Sequence, residues 1–274
     1  MTQAVSVIIP NYNYGRFLKV TIDSVMNQSH RDVEVIVIDN GSSDSSREIL
    51  ESYGDKIRTV FQENQGQAAA RNVGLASAEG SLIALLDADD YWESMKIERQ
   101  LEFLNEENQF VYTAMRRFDT ETGKTINVID PVFKGDCRAT FIEYPSRAIV
   151  PGGESSALFS RRLMEKVGFF NPDLNSAAGR DYFRRCSTYT KFNFVKEPLA
   201  HIRIHDANMS NNSQRMMKDT ARAYDELFSD SEWMSFYSER KRCLRKLQWS
   251  FLKTNLKNRD LAQSLQNLSK LANP

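Results

Sequence analysis

The sequence lacks an excess of either charge, a long apolar run and a basic leader, and each absence excludes a class of protein. Basic and acidic residues number 36 each, so the chain has no overall field that would gather nucleic acid. No apolar run approaches the roughly 20 residues needed to cross a bilayer. The first ten residues lack the basic segment and the long apolar stretch of a signal peptide, and we expect them to form a strand.

Cysteine is also scarce. Cys137, Cys186 and Cys243 are odd in number and far apart, with neither metal-ligand spacing nor the pattern of a disulfide framework. This usage predicts a cytoplasmic location, where thiols stay reduced. A chain of 274 residues with 41% hydrophobic content suits one large α/β domain, or one such domain with a helical appendage.

Strand and helix patterns alternate through the first half of the chain. Apolar runs predict strands at 5–9, where Pro10 is expected to stop the first strand, and at 33–38, 57–61, 82–86 and 110–115. Helical spacing follows the first strand at Leu18, Ile22 and Val25, and an alanine-rich helix is predicted over 67–76. The alternation predicts an α/β fold whose mostly parallel sheet has helices on both faces.

The pattern changes after about residue 116. A turn at 120–124 between short strands is predicted, followed by a helix that Ser160 caps and Gly168 ends. Another helix is expected over 181–187, and an extended segment over 192–204 with an interruption at Pro198. Beyond residue 208 only helix formers occur, which predicts two or three helices to the end.

Polar residues follow four of the predicted strands, at 11–13, 39–40, 62–64 and 87–90. The carboxyl ends of parallel strands share one edge of a sheet, where open α/β sheets bind ligands. Asp87, Asp89 and Asp90 would raise one another's pKa there unless a cation lay among them. A divalent metal ion held by hard oxygens and shared with a phosphate is the simplest explanation.

Five segments, in order, resemble family 2 glycosyltransferases. They are Ser-Val-Ile-Ile-Pro-Asn-Tyr-Asn at 6–13, Val-Ile-Val-Ile-Asp-Asn-Gly-Ser-Ser-Asp at 35–44, Asn-Gln-Gly at 64–66, Ala-Arg-Asn-Val-Gly at 70–74, and Leu-Asp-Ala-Asp-Asp-Tyr-Trp at 86–92. The resemblance extends to about residue 205. It implies a GT-A fold that binds a nucleotide-sugar and transfers the sugar with inversion. We expect a catalytic domain at 1–208, with a nucleotide-sugar-binding part at 1–116 and an acceptor-side part at 117–208, and a C-terminal helical extension at 209–274.

The resemblance implies a role for each matching residue on the donor side. Pro10 belongs to the first motif, and Tyr12 would stack on the nucleobase. Asp39 would accept a hydrogen bond from the uracil ring N–H, which favours a UDP-sugar. Arg71 would reach the nucleotide or hold the site carboxylates, and Asp87 would approach the ribose or the sugar.

The same resemblance implies a metal ion. Asp89 would ligate Mn2+ or Mg2+, which neutralises charge on the departing nucleoside diphosphate. His205, in an Arg-Ile-His motif that begins at Arg203, would ligate the metal or the diphosphate. Asp90 is expected to cap the next segment.

The acceptor side depends on Asp181, which aligns with the general base that family members place at the start of a helix. Arg180 departs from the family's usual glutamate. An adjacent cation would lower the basicity of Asp181, or it would bind an anionic acceptor. Glu154, after a Gly-Gly pair, is a second acceptor-side candidate.

The tail carries a basic run at 239–249 whose apolar residues recur at helical spacing. Such a helix either lies on anionic lipid at the inner face of the membrane or packs on the catalytic domain or in a homodimer.

Two other functions stay open. One is a catalytically silent nucleotide-sugar-binding or assembly protein, and the other is a sugar nucleotidyltransferase. The loop at 11–16 has one glycine, whereas nucleotidyltransferases have a phosphate cradle rich in glycine and arginine. The family alone implies a glycan, lipid-linked or protein-linked acceptor, as in polysaccharide biosynthesis, and names no sugar.

Overall fold

The computed structural model describes residues 3–174, 176–205 and 213–257. Within these ranges the strands are β1 Val5–Asn11, β2 Val33–Asp39, β3 Arg58–Phe61, β4 Leu82–Leu85, β5 Tyr91–Trp92, β6 Phe110–Asp119, β7 Thr125–Ile129, β8 Ala157–Ser160 and β9 Phe192–Ile204. The α-helices are α1 Gly15–Met26, α2 Ser46–Tyr53, α3 Gln67–Ser77, α4 Lys96–Leu101, α5 Arg138–Glu143, α6 Arg161–Val167, α7 Ala178–Tyr189, α8 Ser213–Leu227 and α9 Arg240–Lys257. Short 3₁₀ helices occur at Gly54–Lys56, Gly153–Ser156 and Ser231–Glu239.

The strands form one mixed sheet in the order β3-β2-β1-β4-β8-β6-β9-β5, with β7 paired to β6. Strands β3, β2, β1 and β4 are parallel neighbours, and β9 is parallel to β6. Strand β8 runs antiparallel between β4 and β6, and β5 and β7 are antiparallel to their partners. The expected α/β fold with a mostly parallel sheet is confirmed.

Helices cover both faces of the sheet because its central strands are apolar on both sides. In β4, Ile83 and Leu85 pack in one core cluster, while Leu82 and Ala84 pack in the other. The first cluster includes residues of α3, α6 and α7, and the second includes residues of α1, α2 and α4. The alternation of side chains along the strand places the two clusters on opposite faces.

Strand β1 is longer than the sequence pattern predicts, because it continues through Pro10 to Asn11. Asn11 pairs with Asp39 of β2, whereas the pairing of β1 with β4 has already ended at Ile8. The missing N–H of Pro10 therefore interrupts no pairing with β4. The expectation that Pro10 stops the strand was wrong. The extension of β1 places its polar end, Asn11, directly beside the polar end of β2, Asp39.

Several of the helix and strand boundaries predicted for the second half of the chain are observed. Ser160 Oγ accepts a hydrogen bond from Leu163 N at 3.0 Å, and Gly168, with φ of +79°, ends α6. Strand β9 passes through Pro198 with shifts in its register against β6. Pro198 lies opposite Ala114, between two shifts of the register, and proline is tolerated at such irregularities because the regular ladder is already interrupted there.

Helices α8 and α9 pack on each other and on α5. Their shared cluster includes Ile142, Tyr224, Trp233, Leu247 and Phe251. The apolar residues of the basic run are therefore largely buried within the chain, as one of the two expectations for the tail requires. No helix of the described ranges is long and apolar enough to cross a membrane.

The domain boundaries and the outside contacts of the tail stay predictions. The expected boundary at 208/209 and the end of the extension, residues 258–274, lie outside the described residues. Peripheral membrane contact and a homodimer through these helices also stay predictions, and Trp249 and Tyr237 are about half exposed there.

Candidate functional site

The polar ends of the first three strands are joined at one edge of the sheet. Asn40, which follows β2, donates from Nδ2 to Asn64 Oδ1 at 3.1 Å and accepts from Gln62 Nε2 at 2.7 Å. Asn11 lies beside Asp39 in the β1–β2 register and donates from Nδ2 to Ser42 Oγ at 3.1 Å. These bonds fix the loops after β1, β2 and β3 as one surface.

Tyr12 and Asp39 are placed on this surface in different ways. The Tyr12 side chain is 46% exposed, so it is not the packed aromatic residue that commonly follows a strand. Asp39 is buried, and its Oδ1 accepts from the backbone N–H of Ser42 at 2.9 Å. No other hydrogen bond to its carboxylate comes from the described residues, so Oδ2 can accept from a ligand.

Arg71 is the centre of a buried charge cluster. Its side chain is 2% exposed, with Nη2 2.7 Å from Asp87 Oδ1 and Nη1 2.5 Å from Glu154 Oε1. Gln67, one turn earlier in α3, also donates to Asp87 Oδ1 at 3.1 Å. Arg71 is therefore paired with two of the carboxylates expected at the site, and its contact with a nucleotide stays a prediction.

This environment disfavours the ionised form of Asp87. Burial raises the pKa of Asp87 to about 6; Arg71 opposes the rise, whereas Glu154 and Asp89 add to it. One cation thus serves several acids, and the cluster is short of positive charge. That deficit is what a bound cation would relieve.

Asp90 joins the loop after β4 to two other segments of the chain and does not cap the segment that follows it. Its Oδ2 accepts from Ser155 Oγ at 2.6 Å, and its Oδ1 accepts from the backbone N–H of Arg203 at 3.0 Å. Burial, followed by the charges of Asp89 and Asp87, raises the pKa of Asp90 well above its usual value. The expectation that Asp90 caps the next segment was wrong, because both of its carboxylate oxygens bind groups elsewhere in the chain.

Asp89 and His205 converge from opposite halves of the chain. Asp89 Oδ2 and His205 Nε2 are 3.0 Å apart, which lets both bind one ion side by side. Within residues 3–174, 176–205 and 213–257, no three His, Cys, Asp or Glu side chains are grouped to hold a metal alone. The pair therefore fits a hard divalent cation whose remaining ligands are substrate oxygens, as is usual for Mg2+ with phosphates.

Neighbouring groups hold that pair in place. Arg203 Nε donates to the backbone oxygen of Asp89 at 2.8 Å. The imidazole of His205 packs edge-on to Tyr14 and lies 5.1 Å from Phe17 between ring centroids. Both side chains of the Arg203-to-His205 motif thus reach the same loop, as strand alternation predicts.

The acceptor-side candidates separate. Glu154 joins the donor cluster through Arg71 and lies against Gly179 at the start of α7. Asp181 is 3% exposed; its Oδ2 accepts from Arg185 Nε at 2.9 Å and its Oδ1 from Arg184 Nη2. Arg180 points elsewhere and donates to the backbone oxygen of Pro145.

Sequence reasoning missed Ser155 and Tyr14. Ser155 Oγ accepts from Asp87 N at 3.1 Å and also donates to Asp90, so it links two site residues. Burial, with help from Asp89, Asp87 and Asp90, raises the pKa of Tyr14. A serine beside Glu154 and a tyrosine two residues after Tyr12 are the only local signals, and neither spacing reveals the contacts.

Comparison with known proteins gives the family. The model named Glycosyl transferase family 2 matches residues 6–168, more than half of the chain. An uncharacterized glycosyltransferase of Nostoc sp. (strain PCC 7120) is 35% identical over 214 residues. The match covers 74% of this chain and 66% of that relative, so the chain spans slightly less than two thirds of it.

Solved structures share the fold at low identity. The crystal structure of S. aureus TarS 1-349 in complex with UDP-GlcNAc has a TM-score of 0.72 and 18% identity, covering 98% of this chain and 80% of that one. The mannosyltransferase PcManGT from Pyrobaculum calidifontis, in complex with GDP-Man and Mn2+, has a TM-score of 0.64 and 16% identity. That match covers 99% of this chain and 80% of PcManGT. These likenesses agree with the expected GT-A fold.

Proposed function

The chain belongs to glycosyl transferase family 2, and we propose that it transfers a sugar from a nucleoside-diphosphate sugar to a hydroxyl of a saccharide-containing acceptor. The convergence of Asp89 and His205 carries the proposal. It lies at the carboxyl edge of the sheet, in the same loop region as Asp87 and Arg71. A diphosphate bound there would supply the oxygens that the pair lacks.

The donor is proposed to be a UDP-sugar. Tyr12 presents an exposed ring for base stacking, which is tolerant of base identity. Asp39 supplies the selective contact, because an ionised carboxylate accepts from the ring N–H of uracil. TarS carries UDP-GlcNAc and PcManGT carries GDP-Man, so the base is assigned from Asp39 and not from the shared fold.

Asp89 and His205 are proposed to hold Mn2+ or Mg2+. When bound, the ion would supply electrostatic stabilisation of the departing nucleoside diphosphate. Arg71 keeps Asp87 ionised near the donor's ribose or sugar, and Arg203 fixes the Asp89 backbone. Asp90 and Ser155 hold the loop rigid, so the carboxylates need not reorganise when the donor binds.

Transfer is proposed to be a single displacement with inversion. The acceptor oxygen forms a bond to the anomeric carbon as the bond from that carbon to the diphosphate oxygen breaks. The nucleoside diphosphate leaves with the electron pair, and the acceptor's hydroxyl proton passes to a carboxylate on the opposite face.

Two carboxylates compete for the role of base. The resemblance assigns it to Asp181, yet that carboxylate is 3% exposed and both of its oxygens already accept from arginines. Glu154 borders a cavity, and among the described residues its only ion-pair partner is Arg71, at Oε1. Asp181 stays the proposed base on the motif, and Glu154 is the alternative that the geometry supports.

A panel of nucleotide sugars tests the donor half without knowledge of the acceptor. Ligands that bind the native state raise the free energy of unfolding, by about 2.7 kcal/mol at 100 times Kd, and with it the unfolding midpoint. A UDP-sugar with Mn2+ should raise it most, and Asp89→Asn should abolish the metal-dependent part. Asp55→Asn, which changes an exposed aspartate in the 3₁₀ helix Gly54–Lys56, is the matched control. Equal shifts with and without Mn2+ in the wild type would contradict the proposal.

The second candidate is a catalytically silent nucleotide-sugar-binding protein, which the double ion pair of Asp181 favours. It predicts the same donor shifts but no release of nucleoside diphosphate with any acceptor. Measured release that Asp89→Asn removes would exclude it.

A further inference from the structure

A cavity of about 320 Å³ lies behind the donor cluster, on the side of helix α7. Its volume falls within the roughly 300–1,000 Å³ that is usual for ligand pockets. Phe141, Ile149 and Phe183 give it an apolar wall, and its polar groups are Glu154, Ser176, Arg180 and Thr220. Glu154 also binds Arg71, which in turn binds Asp87. Glu154 therefore borders both this cavity and the donor cluster, which consists of Arg71, Asp87 and Glu154.

Arg180 gives this cavity an unbalanced positive charge. Its Nη1 donates to the backbone oxygen of Pro145, and no carboxylate of the described residues lies within 4.0 Å of its guanidinium. Arginine stays protonated in proteins, so this charge persists even where burial disfavours it. A partly buried cation without a counter-ion is costly, and an anionic ligand would remove that cost.

The acids near Arg180 already have other partners. Glu154 is paired with Arg71, and Asp181 with Arg184 and Arg185. Asp219 accepts at Oδ2 from both the backbone N–H and the hydroxyl of Ser176, at 3.0 Å each. Arg180 is thus the cavity cation whose charge no described carboxylate balances.

We propose that this cavity is the acceptor subsite and that Arg180 selects an acceptor carrying an anionic oxygen group, a phosphate or a carboxylate, close to the reacting hydroxyl. The inference rests on the proposed function, because it places the acceptor next to the donor cluster through Glu154. The apolar wall would cover the face of a sugar ring or polyol chain, and Ser176 and Thr220 would meet its hydroxyls. The guanidinium fork matches either anion by paired hydrogen bonds.

Matched pairs of small probes test the proposal on the whole chain. UDP and Mn2+ first saturate the donor site, and their own thermal shift reports whether the proposed donor site exists. Glycerol 3-phosphate is then compared with glycerol, and methyl glucuronide with methyl glucoside. At least one anionic probe should bind roughly 10-fold or more tightly than its neutral partner, because a hydrogen bond to a charged group is involved.

Three variants identify the residue. Arg180→Met should remove the preference for the anion, and Arg180→Lys should keep part of it. Arg147→Met deletes an exposed arginine two residues after Pro145 and controls for general electrostatic attraction. Loss of the UDP shift in Arg180→Met would indicate a folding defect, and the lysine variant then decides the comparison.

The proposal is overturned if neither anionic probe binds the wild type more tightly than its neutral partner. It is also overturned if the preference survives Arg180→Met, or falls equally in Arg147→Met. A wild type that shows no UDP shift would instead refute the proposed function. The two failures are therefore distinguishable in one experiment.

Discussion

Replacing Arg71 by methionine should destabilise the protein more than any exposed charge replacement. The side chain is 2% exposed and neutralises two carboxylates, Asp87 and Glu154. Methionine keeps the length and the helix propensity of the position but removes the charge. The variant leaves both acids at a largely buried site without their counter-ion.

The magnitude follows from the exposure of the stranded acids. Breaking a buried ion pair by removing one partner costs about 3–5 kcal/mol. The side chains of Asp87 and Glu154 are 27% and 15% exposed, so water screens both and the lower end applies. About 3 kcal/mol corresponds to a fall in the unfolding midpoint of roughly 6–12 °C for a domain of this size.

The loss should depend on pH in a defined direction. Without Arg71, the pKa of Asp87 rises further above its unfolded value, so the native state binds more protons than the unfolded state. Stability of the variant then falls as pH rises through the acidic range, and the difference from wild type shrinks as pH is lowered toward 4. Thermal and guanidinium unfolding between pH 4 and 7 measure this.

Two further variants make the test specific. Arg71→Met combined with Glu154→Gln should recover part of the loss, because one stranded charge is gone. Arg47→Met, which breaks an exposed pair with Glu51, should cost at most about 1 kcal/mol. A loss below 1 kcal/mol in Arg71→Met, or one that does not change with pH, would refute the cluster as described.

Three further predictions concern the core and the base. Lys96 is fully buried, which lowers its pKa well below the usual value, so at this site the native state binds fewer protons than the unfolded state. The stability of the wild type relative to Lys96→Met should therefore increase as pH rises from neutral to about 10, and a difference that does not change with pH would contradict this. Gly74→Ala would place a Cβ 2.2 Å from Ile8 Cγ2, so it should lower the free energy of unfolding by about 1–3 kcal/mol, measured by chemical denaturation. An unchanged free energy would mean that α3 packs less closely on β1. Asp181→Asn and Glu154→Gln each remove one candidate base. The variant that removes the working base should lower the rate of sugar transfer by about 10²–10⁴-fold while donor binding persists, and equally small effects of both would exclude both candidates.

The donor half of the site could be predicted because its residues belong to local patterns. A parallel strand that ends in polar groups puts those groups at the carboxyl edge of the sheet, as it does Asp39 and Asp89. Once the strands pair in the observed register, the two residues lie at the same edge. Pro10 was misread because a local rule about proline ignores which neighbouring strand is still paired. The pairing of β1 with β4 ends first, and that is a tertiary fact.

The rest could not be predicted because it depends on segments far apart in the chain. Ser155 lies 65 residues from Asp90, and their bond forms only when the loop before β8 packs under the β4 loop. Arg71 could equally have faced solvent, and the burial of its helix face decides otherwise. The motif that names Asp181 does not reveal that Arg184 and Arg185, one turn later, bind its carboxylate.

The most direct test of the central claim is metal-dependent release of nucleoside diphosphate from a UDP-sugar. The wild type with Mn2+ should release it, and a chelator should stop the release. Asp89→Asn should lower the rate by at least roughly 10–100-fold, whereas Asp55→Asn should not. Release that proceeds equally without metal, or equally in Asp89→Asn, would contradict the assignment of Asp89 and His205 to the donor's cation.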